Sequence, residues 1–263
     1  MTATIYDLHH GAAWITLNRP DNRNALSAQL VNELYAHLKQ ANEDANVRAI
    51  VITGNGPAFC AGADLKSPPG SSISGEESVP YADVLKAILA SPKPVIAAVN
   101  GAAFAGGLGL IGAADIVITD ADALFSFSEV RIGVIPAVIS VVCMPKLGRH
   151  HAMKLFITGE RFTGDQAVTM GLAHRAVSAN ELKAAVEAEL EMINLGGPMA
   201  VQACKALVNR VPTWEADAAF DEASTWSVAT FQSDEAAEAW PLSERSAHQV
   251  GWRIESELRS TTP

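Results

Sequence analysis

The chain has 263 residues, 49% of them apolar, and a formal net charge of −10. That length suits one or two domains with a sizeable core. The acidic balance and the lack of any Lys/Arg-rich block exclude a nucleic-acid footprint, which leaves a small molecule or another protein as the expected partner.

The opening "MTATIYDLHHG" lacks the basic start and apolar run of a signal peptide. "AAWITLNRP" reads as a short strand ended by Pro20, and "DNRNALS" as turn chemistry. Ser27 is placed to cap a helix, "SAQLVNELYAHLKQ", in which Leu30, Leu34 and Leu38 form one buried stripe. "VRAIVITG" is a strand stopped by Gly54, and "NGPAFCAGADLK" follows as a loop. "SPPGSSISGEES", small and polar, is the most loop-like stretch and is expected to be mobile.

The middle repeats this scheme. "KPVIAAVNG" does not alternate, so it predicts a strand buried on both faces. The glycine-rich "AFAGGLGLIGAAD" comes next, then "ADIVITD" and "ALFSFSEV", then an apolar helix from about Pro136. From Arg149 onward the chain reads as mainly helical, with a short strand near Ala173–Val177 and a capping box, Ser178 to Glu181. "FDEASTWSVATFQSDEAAEAW" is amphipathic and rich in alanine. The order is an α/β body followed by a helical end.

Pro94 to Ala114 carries no charge, but its Pro, Asn and five Gly argue for a buried strand plus a buried helix and against a membrane span. Cys60, Cys143 and Cys204 are far apart, odd in number and without metal-ligand spacing. Reduced thiols in a cytoplasmic protein are therefore expected, not a disulfide or a zinc site. The tandem pairs His9–His10 and His150–His151 also lack ligand spacing and read as surface or helix-packing residues, so no metal is expected. No G-x-S-x-G occurs, which argues against serine hydrolase chemistry.

Gly107, Gly109 and Gly112 spell G-x-G-x-x-G. A dinucleotide loop needs a strand running straight into the glycines and a long helix after them. Here "NGAAFA" intervenes, and only about two helical turns fit before "ADIVIT" resumes a strand. A second reading is close helix packing, which suits Gly112. A third takes Gly106 and Gly107 as the opening of a helix whose free N–H groups polarise a carbonyl. The second donor that such a site needs would come from the other Gly/Ala loop, "FCAGADLK".

With these features the sequence resembles the enoyl-CoA hydratase/isomerase (crotonase) superfamily over nearly its whole length. "ITLNRPDNRNALS", "GPAFCAGADLK", "KPVIAAVNGAAFAGGLGLIGAADIVI", "FSFSEVRIGVIPAVIS" and "LFITGERFTGDQAVTMGLAHRAV" match the family's blocks in the family's order. The resemblance implies an α/β fold: a crotonase-like ββα spiral core over residues 1–195, then a helical region, 196–263, that covers the pocket and mediates assembly. It implies a homotrimer or dimer of trimers, with Trp226, Phe231 and Trp240 supplying apolar surface. It also implies an acyl-CoA substrate, with no tightly bound cofactor, no nucleic acid and no membrane partner.

By position, the resemblance makes Ala63 and Gly106 the N–H donors to the thioester oxygen. Arg23 and Ala25 would touch the pantetheine and phosphate end of coenzyme A. Ala61, Asp64, Leu65 and Lys66 would line the adenine side, with Asp64 holding its loop more than doing chemistry. Family hydratases often use two glutamates; here Gly109 stands at the first position and Glu129 at the second. The apolar flanks of Glu129 predict burial and a raised pKa suited to proton transfer. "SEVRIGVIPAVIS" looks like a hydratase branch that acts on branched or glutaconyl-type acyl-CoAs and also keeps one glutamate. Hydration of a 2-enoyl-CoA, isomerisation of a 3-enoyl-CoA and acyl-CoA binding without turnover are the three readings this leaves, in that order.

Overall fold

The structure, a computed structural model, describes residues 2–64, 66 and 78–243, the last four by their backbone alone. It divides into two compact units, one running through Ala188 and the other from Glu189 onward.

The first unit opens with an antiparallel hairpin, β1 (Thr4–His9) and β2 (Ala12–Leu17). A 3-10 turn over Pro20–Asn22 leads to α1 (Ala28–Glu43). Ser27 caps that helix by accepting the Leu30 N–H at 3.3 Å, and Leu30, Leu34 and Leu38 are fully buried. The chain then gives strands in pairs: β3 (Ala49–Gly54) with β4 (Ala58–Cys60), β5 (Val95–Val99) with β6 (Ala102–Phe104), and β7 (Ile116–Asp120) with β8 (Leu124–Ser126). After each pair comes a helix: α2 (Tyr81–Ala90), α3 (Gly106–Ala113) and α4 (Ala137–Thr158). A shorter passage follows, β9 (Phe162–Thr163), α5 (Gly164–Thr169) and β10 (Arg175–Val177), and α6 (Leu182–Leu195) crosses into the second unit.

The two strands of each pair join different sheets. One sheet has the order β1-β2-β3-β5-β7-β10, the other β4-β6-β8-β9. Within them β3, β5, β7 and β10 run parallel, as do β4, β6 and β8. Each turn of the chain therefore adds one strand to each sheet and then a helix, which is a spiral. The interior strand β5 is buried at every position, as its unalternating sequence predicts.

Two elements differ from the sequence expectation. The loop predicted after Gly54 contains β4, a strand too short to show a period. The helix α2 was not among the predicted elements, although Val84, Leu85 and Ile88 give it one buried face. The apolar helix predicted from Pro136 does begin there, but it continues to Thr158 past a non-helical Gly148. The uncharged stretch Pro94–Ala114 is split between β5, β6 and α3, and among the described residues no helix is long and apolar enough to cross a membrane.

The second unit contains α7 (Pro198–Arg210), α8 (Ala216–Phe231) and α9 (Asp234–Ser243). The Glu235 carboxylate accepts the Met199 and Ala200 N–H groups at 3.1 and 3.0 Å, which satisfies the free end of α7. The amphipathic stretch is divided between α8 and α9 at Gln232–Ser233, where Ser233 Oγ accepts the Ala236 N–H. Neither α7 nor α8 has a buried residue; Phe220 and Phe231 are exposed.

Candidate active site

Register places the candidate residues. Cys60 pairs with Ala103 between β4 and β6, and Phe104 pairs with Ser126 between β6 and β8. Just past the C-terminal ends of these three parallel strands stand Ala63, Gly106 and Glu129. The carboxyl ends of parallel strands are where ligand crevices form in α/β folds.

The first two residues meet through backbone. Gly62 has φ +90°, and a Cβ built on it would stand 2.9 Å from the Phe104 carbonyl oxygen and 3.4 Å from the Gly106 nitrogen. Glycine alone permits both that conformation and that approach. A Cβ on Gly106 would in turn lie 3.8 Å from the Ala63 nitrogen. The loop is laced to the turn before α1: the Ala61 N–H donates to the Arg23 carbonyl, Leu26 to Gly62, and Asp64 to Leu26, at 2.8 to 3.1 Å. This leaves the Ala63 N–H without a partner among the described residues. The Gly106 N–H, at the first position of α3, has none either. Before it, Ala105 takes φ 47° and ψ −120°, an unusual conformation for a side-chain-bearing residue.

Glu129 sits in a 3-10 turn, Ser128–Ile132, closed by a left-handed Gly133. The preceding Phe127 anchors this turn, fully buried against Phe156 and Phe162. Glu129 Oε2 is buried and has no hydrogen-bond partner among the described residues. Burial pushes its carboxyl above the usual carboxylate range, opposed by a backbone hydrogen bond within the residue.

Gly109, the position of the family's other glutamate, is closed. A Cβ there would lie 2.6 Å from both Ile139 Cγ2 and the Tyr81 hydroxyl. Tyr81, the first residue of α2, donates its hydroxyl to the Gly106 carbonyl at 2.5 Å. Burial holds its phenol well above the ordinary range, and the nearby Cys60, Cys143 and Glu129 side chains add to this against a backbone hydrogen bond from Leu110. Sequence reasoning missed Tyr81; its signal was a polar aromatic opening an unrecognised helix.

The remaining site candidates gather on one rim. Arg23 is exposed and left-handed (φ 50°), Ala25 and Ala61 are half-buried, and Lys66 is exposed. Leu65 lies outside the described residues, as do the side chain of Trp240 and residues 67–77, the greater part of the predicted mobile loop. Asp64 is engaged structurally. Its Oδ2 pairs with Arg19 at 2.9 Å, its Oδ1 accepts the Lys66 N–H at 3.1 Å, and Arg19 also donates to the Ala25 carbonyl at 2.7 Å. Buried Asn24 adds bonds to the carbonyls of Asn55 and Ala58. Arg19 and Asn24 were not among the sequence candidates, because their partners come from another part of the chain.

The histidine pairs lie elsewhere. His150 and His151 meet edge to face on α4. His9 and His10, at the turn of the first hairpin, are joined by Glu187 from α6, and their ligand atoms and its carboxylate oxygen lie within 4.8 Å of one another. Sequence spacing could not show that third, remote member. Cys60, Cys143 and Cys204 are all free thiols.

Comparison with known proteins decides the family. A profile described as enoyl-CoA hydratase/isomerase matches residues 7–245. The chain belongs to the enoyl-CoA hydratase/isomerase family. It is 32% identical over 208 residues to an Alternaria alternata enoyl-CoA hydratase, AKT6-1, covering 79% of this chain and 70% of that one. It is also 32% identical over 241 residues to the peroxisomal Delta(3,5)-Delta(2,4)-dienoyl-CoA isomerase of Arabidopsis thaliana, covering 86% and 87%. The crystal structure of a Mycobacterium smegmatis enoyl-CoA hydratase superposes with a TM-score of 0.84 at 31% identity, over 93% of this chain and 96% of that one. The fold is thus the crotonase spiral of the hydratase/isomerase family. The G-x-G-x-x-G match is incidental: α3 ends at Ala113, and its glycines meet protein atoms.

Proposed function

We propose that this member of the family hydrates a 2-enoyl-CoA, with Glu129 as its acid/base. The observation that carries the reading is two kinds of group without partners, set after the ends of neighbouring parallel strands. Two neighbouring N–H donors, on Ala63 and Gly106, have no partner among the described residues, and one buried carboxylate oxygen, on Glu129, has none. Ala63 is exposed and Gly106 half-buried, so both N–H groups are open to a ligand, and an unpaired buried carboxylate oxygen is costly enough to favour a ligand that pairs it. In this reading the thioester oxygen lies between the two N–H groups. Glu129 takes a proton from water as its oxygen bonds to C3. The C2–C3 pair of electrons moves onto the thioester oxygen, and the N–H pair stabilises that enolate. Glu129 then delivers the same proton to C2, so one water is added and nothing is oxidised.

Coenzyme A would follow the rim past Arg23, Ala25, Ala61, Leu65 and Lys66, with Asp64 braced by Arg19 to hold the loop. The exposed Arg23 and Lys66 suit phosphate groups. Self-association as trimers or pairs of trimers belongs to the same proposal.

The deciding experiment supplies crotonyl-CoA and a 3-enoyl-CoA and follows absorbance of the conjugated thioester. Loss of conjugation from crotonyl-CoA supports hydration. Gain of conjugation from the 3-enoyl-CoA without hydration replaces it with isomerisation, which needs one carboxylate and no water. Binding with neither change leaves an acyl-CoA-binding protein.

A further inference from the structure

We propose that the Tyr81 hydroxyl is the second polar contact for the water that Glu129 activates, replacing the side chain that Gly109 lacks. This rests on the hydration reading. Water attacking C3 must be oriented, and one carboxylate fixes only one of its two O–H bonds. In the family pattern a second glutamate would arise from position 109. Here that space holds the Tyr81 oxygen, 2.6 Å from where a Cβ on Gly109 would stand. The hydroxyl is fixed on the same turn that carries the Gly106 N–H, through its bond to the Gly106 carbonyl. Glu129 is close enough for its charge to act on the phenol.

The hydrogen-bond roles follow from valence. The phenol has one proton, and it goes to Gly106. Its oxygen also accepts from the Leu110 backbone, so towards water it can only accept, through its one remaining lone pair. A water donating one hydrogen to Tyr81 and the other to Glu129 has both O–H bonds fixed, which leaves a lone pair on its opposite side to attack C3. As the C3–O bond forms, Glu129 receives one of those protons and later returns it to C2; the other stays on the new hydroxyl. Tyr81 keeps its own proton throughout, in keeping with a buried phenol whose ionisation is disfavoured. It is a water-positioning residue and neither a base nor an acid.

The alternative is that Tyr81 only braces the first turn of α3. Tyr81→Phe separates the two when three rates are read on wild type and variant. These are hydration of crotonyl-CoA, isomerisation of a 3-enoyl-CoA, and exchange of the C2 proton of butyryl-CoA with D2O, followed by NMR. Exchange needs Glu129 and the N–H pair but no attacking water. Tyr81→Phe is expected to lower kcat for hydration about 10- to 100-fold, the range for one lost hydrogen bond, with KM and exchange little changed. Unchanged hydration overturns the proposal. Equal loss of hydration and exchange also overturns it, in favour of bracing. A wild type that exchanges or isomerises without hydrating fails the parent reading instead, which is visible before any variant is made. Should Tyr81→Phe not fold, Gly109→Ala pushes a methyl at the same oxygen and is expected to give the same split between hydration and exchange.

Discussion

At the scale of single residues, stability has been spent at the site. Glu129 buries a carboxylate oxygen with no partner among the described residues, and Ala105 adopts a positive φ without being glycine. Both are departures of the kind that cluster at functional sites. The raised pKa of Glu129 has two consequences of definite sign. In the proposed reaction the carboxylate is the active base, so kcat/KM is expected to fall as pH drops, with a midpoint above the ordinary carboxylate value of 4.5. A folded pKa above the unfolded one means that stability is lost as pH rises through that window. Glu129→Gln should therefore lose turnover by about two to four orders of magnitude while melting no lower than wild type at neutral pH. Its relative advantage should shrink in acid. Turnover and melting temperature across pH check both, and a variant that retains wild-type turnover refutes the assignment. The donor side is tested by Gly106→Pro, which removes one N–H where proline is tolerated in a first helical turn. Losing an oxyanion donor costs about 3 kcal/mol, so turnover should fall at least about a hundredfold with the circular dichroism spectrum retained. A folded Gly106→Pro with wild-type rate would remove Gly106 from the mechanism.

At the scale of elements, α3 is an unpromising helix made stable by its neighbours. Half of its eight residues are glycine, each costing about 1 kcal/mol against alanine. Those glycines let it lie against β4 and α4: a Cβ at Gly107 would collide with the Cys60 carbonyl oxygen, and one at Gly112 would meet Cys143 Sγ at 2.7 Å. Lys146 from α4 takes the last carbonyls, donating to Ala114 at 2.5 Å and to Ile111 at 3.4 Å. Gly109→Ala should consequently destabilise by about 1–3 kcal/mol through overpacking on Ile139 and Tyr81, measured by denaturant midpoint. An unchanged midpoint would show that the space is open. Gly109→Glu should unfold more readily still, and should not restore a two-carboxylate site. The sequence made the α1 stripe, the double-sided burial of β5 and the α4 start legible, because periodicity and composition carry that information. Loop chemistry suggested N–H donors in the two Gly/Ala loops, and the family resemblance singled out Ala63, Gly106 and Glu129 as candidates. Tyr81, Arg19 and Asn24 stayed hidden because their roles exist only across contacts that the spiral creates between distant segments. The β4 strand was hidden by its length.

At the scale of the whole molecule, apolar surface remains uncovered. Along α4, Val138, Val141 and Met144 succeed one another on an exposed face, Val141 at 70% exposure, and in the second unit Phe220 is 83% exposed. Surface of this kind marks association, and repetition of one interface about a closed axis gives small symmetric rings. The net charge of −10 per chain repels copies at low ionic strength. Assembly through these faces would therefore be driven by apolar burial and should persist, or strengthen, as salt is raised. Light scattering at micromolar concentration is expected to give three or six times the 27.7 kDa chain mass in low and high salt alike. Val141→Asp combined with Phe220→Asp replaces side chains already exposed in the single chain, so it should cost the fold little. It should nevertheless move the mass towards that of one chain. A wild type that scatters as a 27.7 kDa monomer refutes the assembly, and a double variant with undiminished mass assigns the interface to other surfaces.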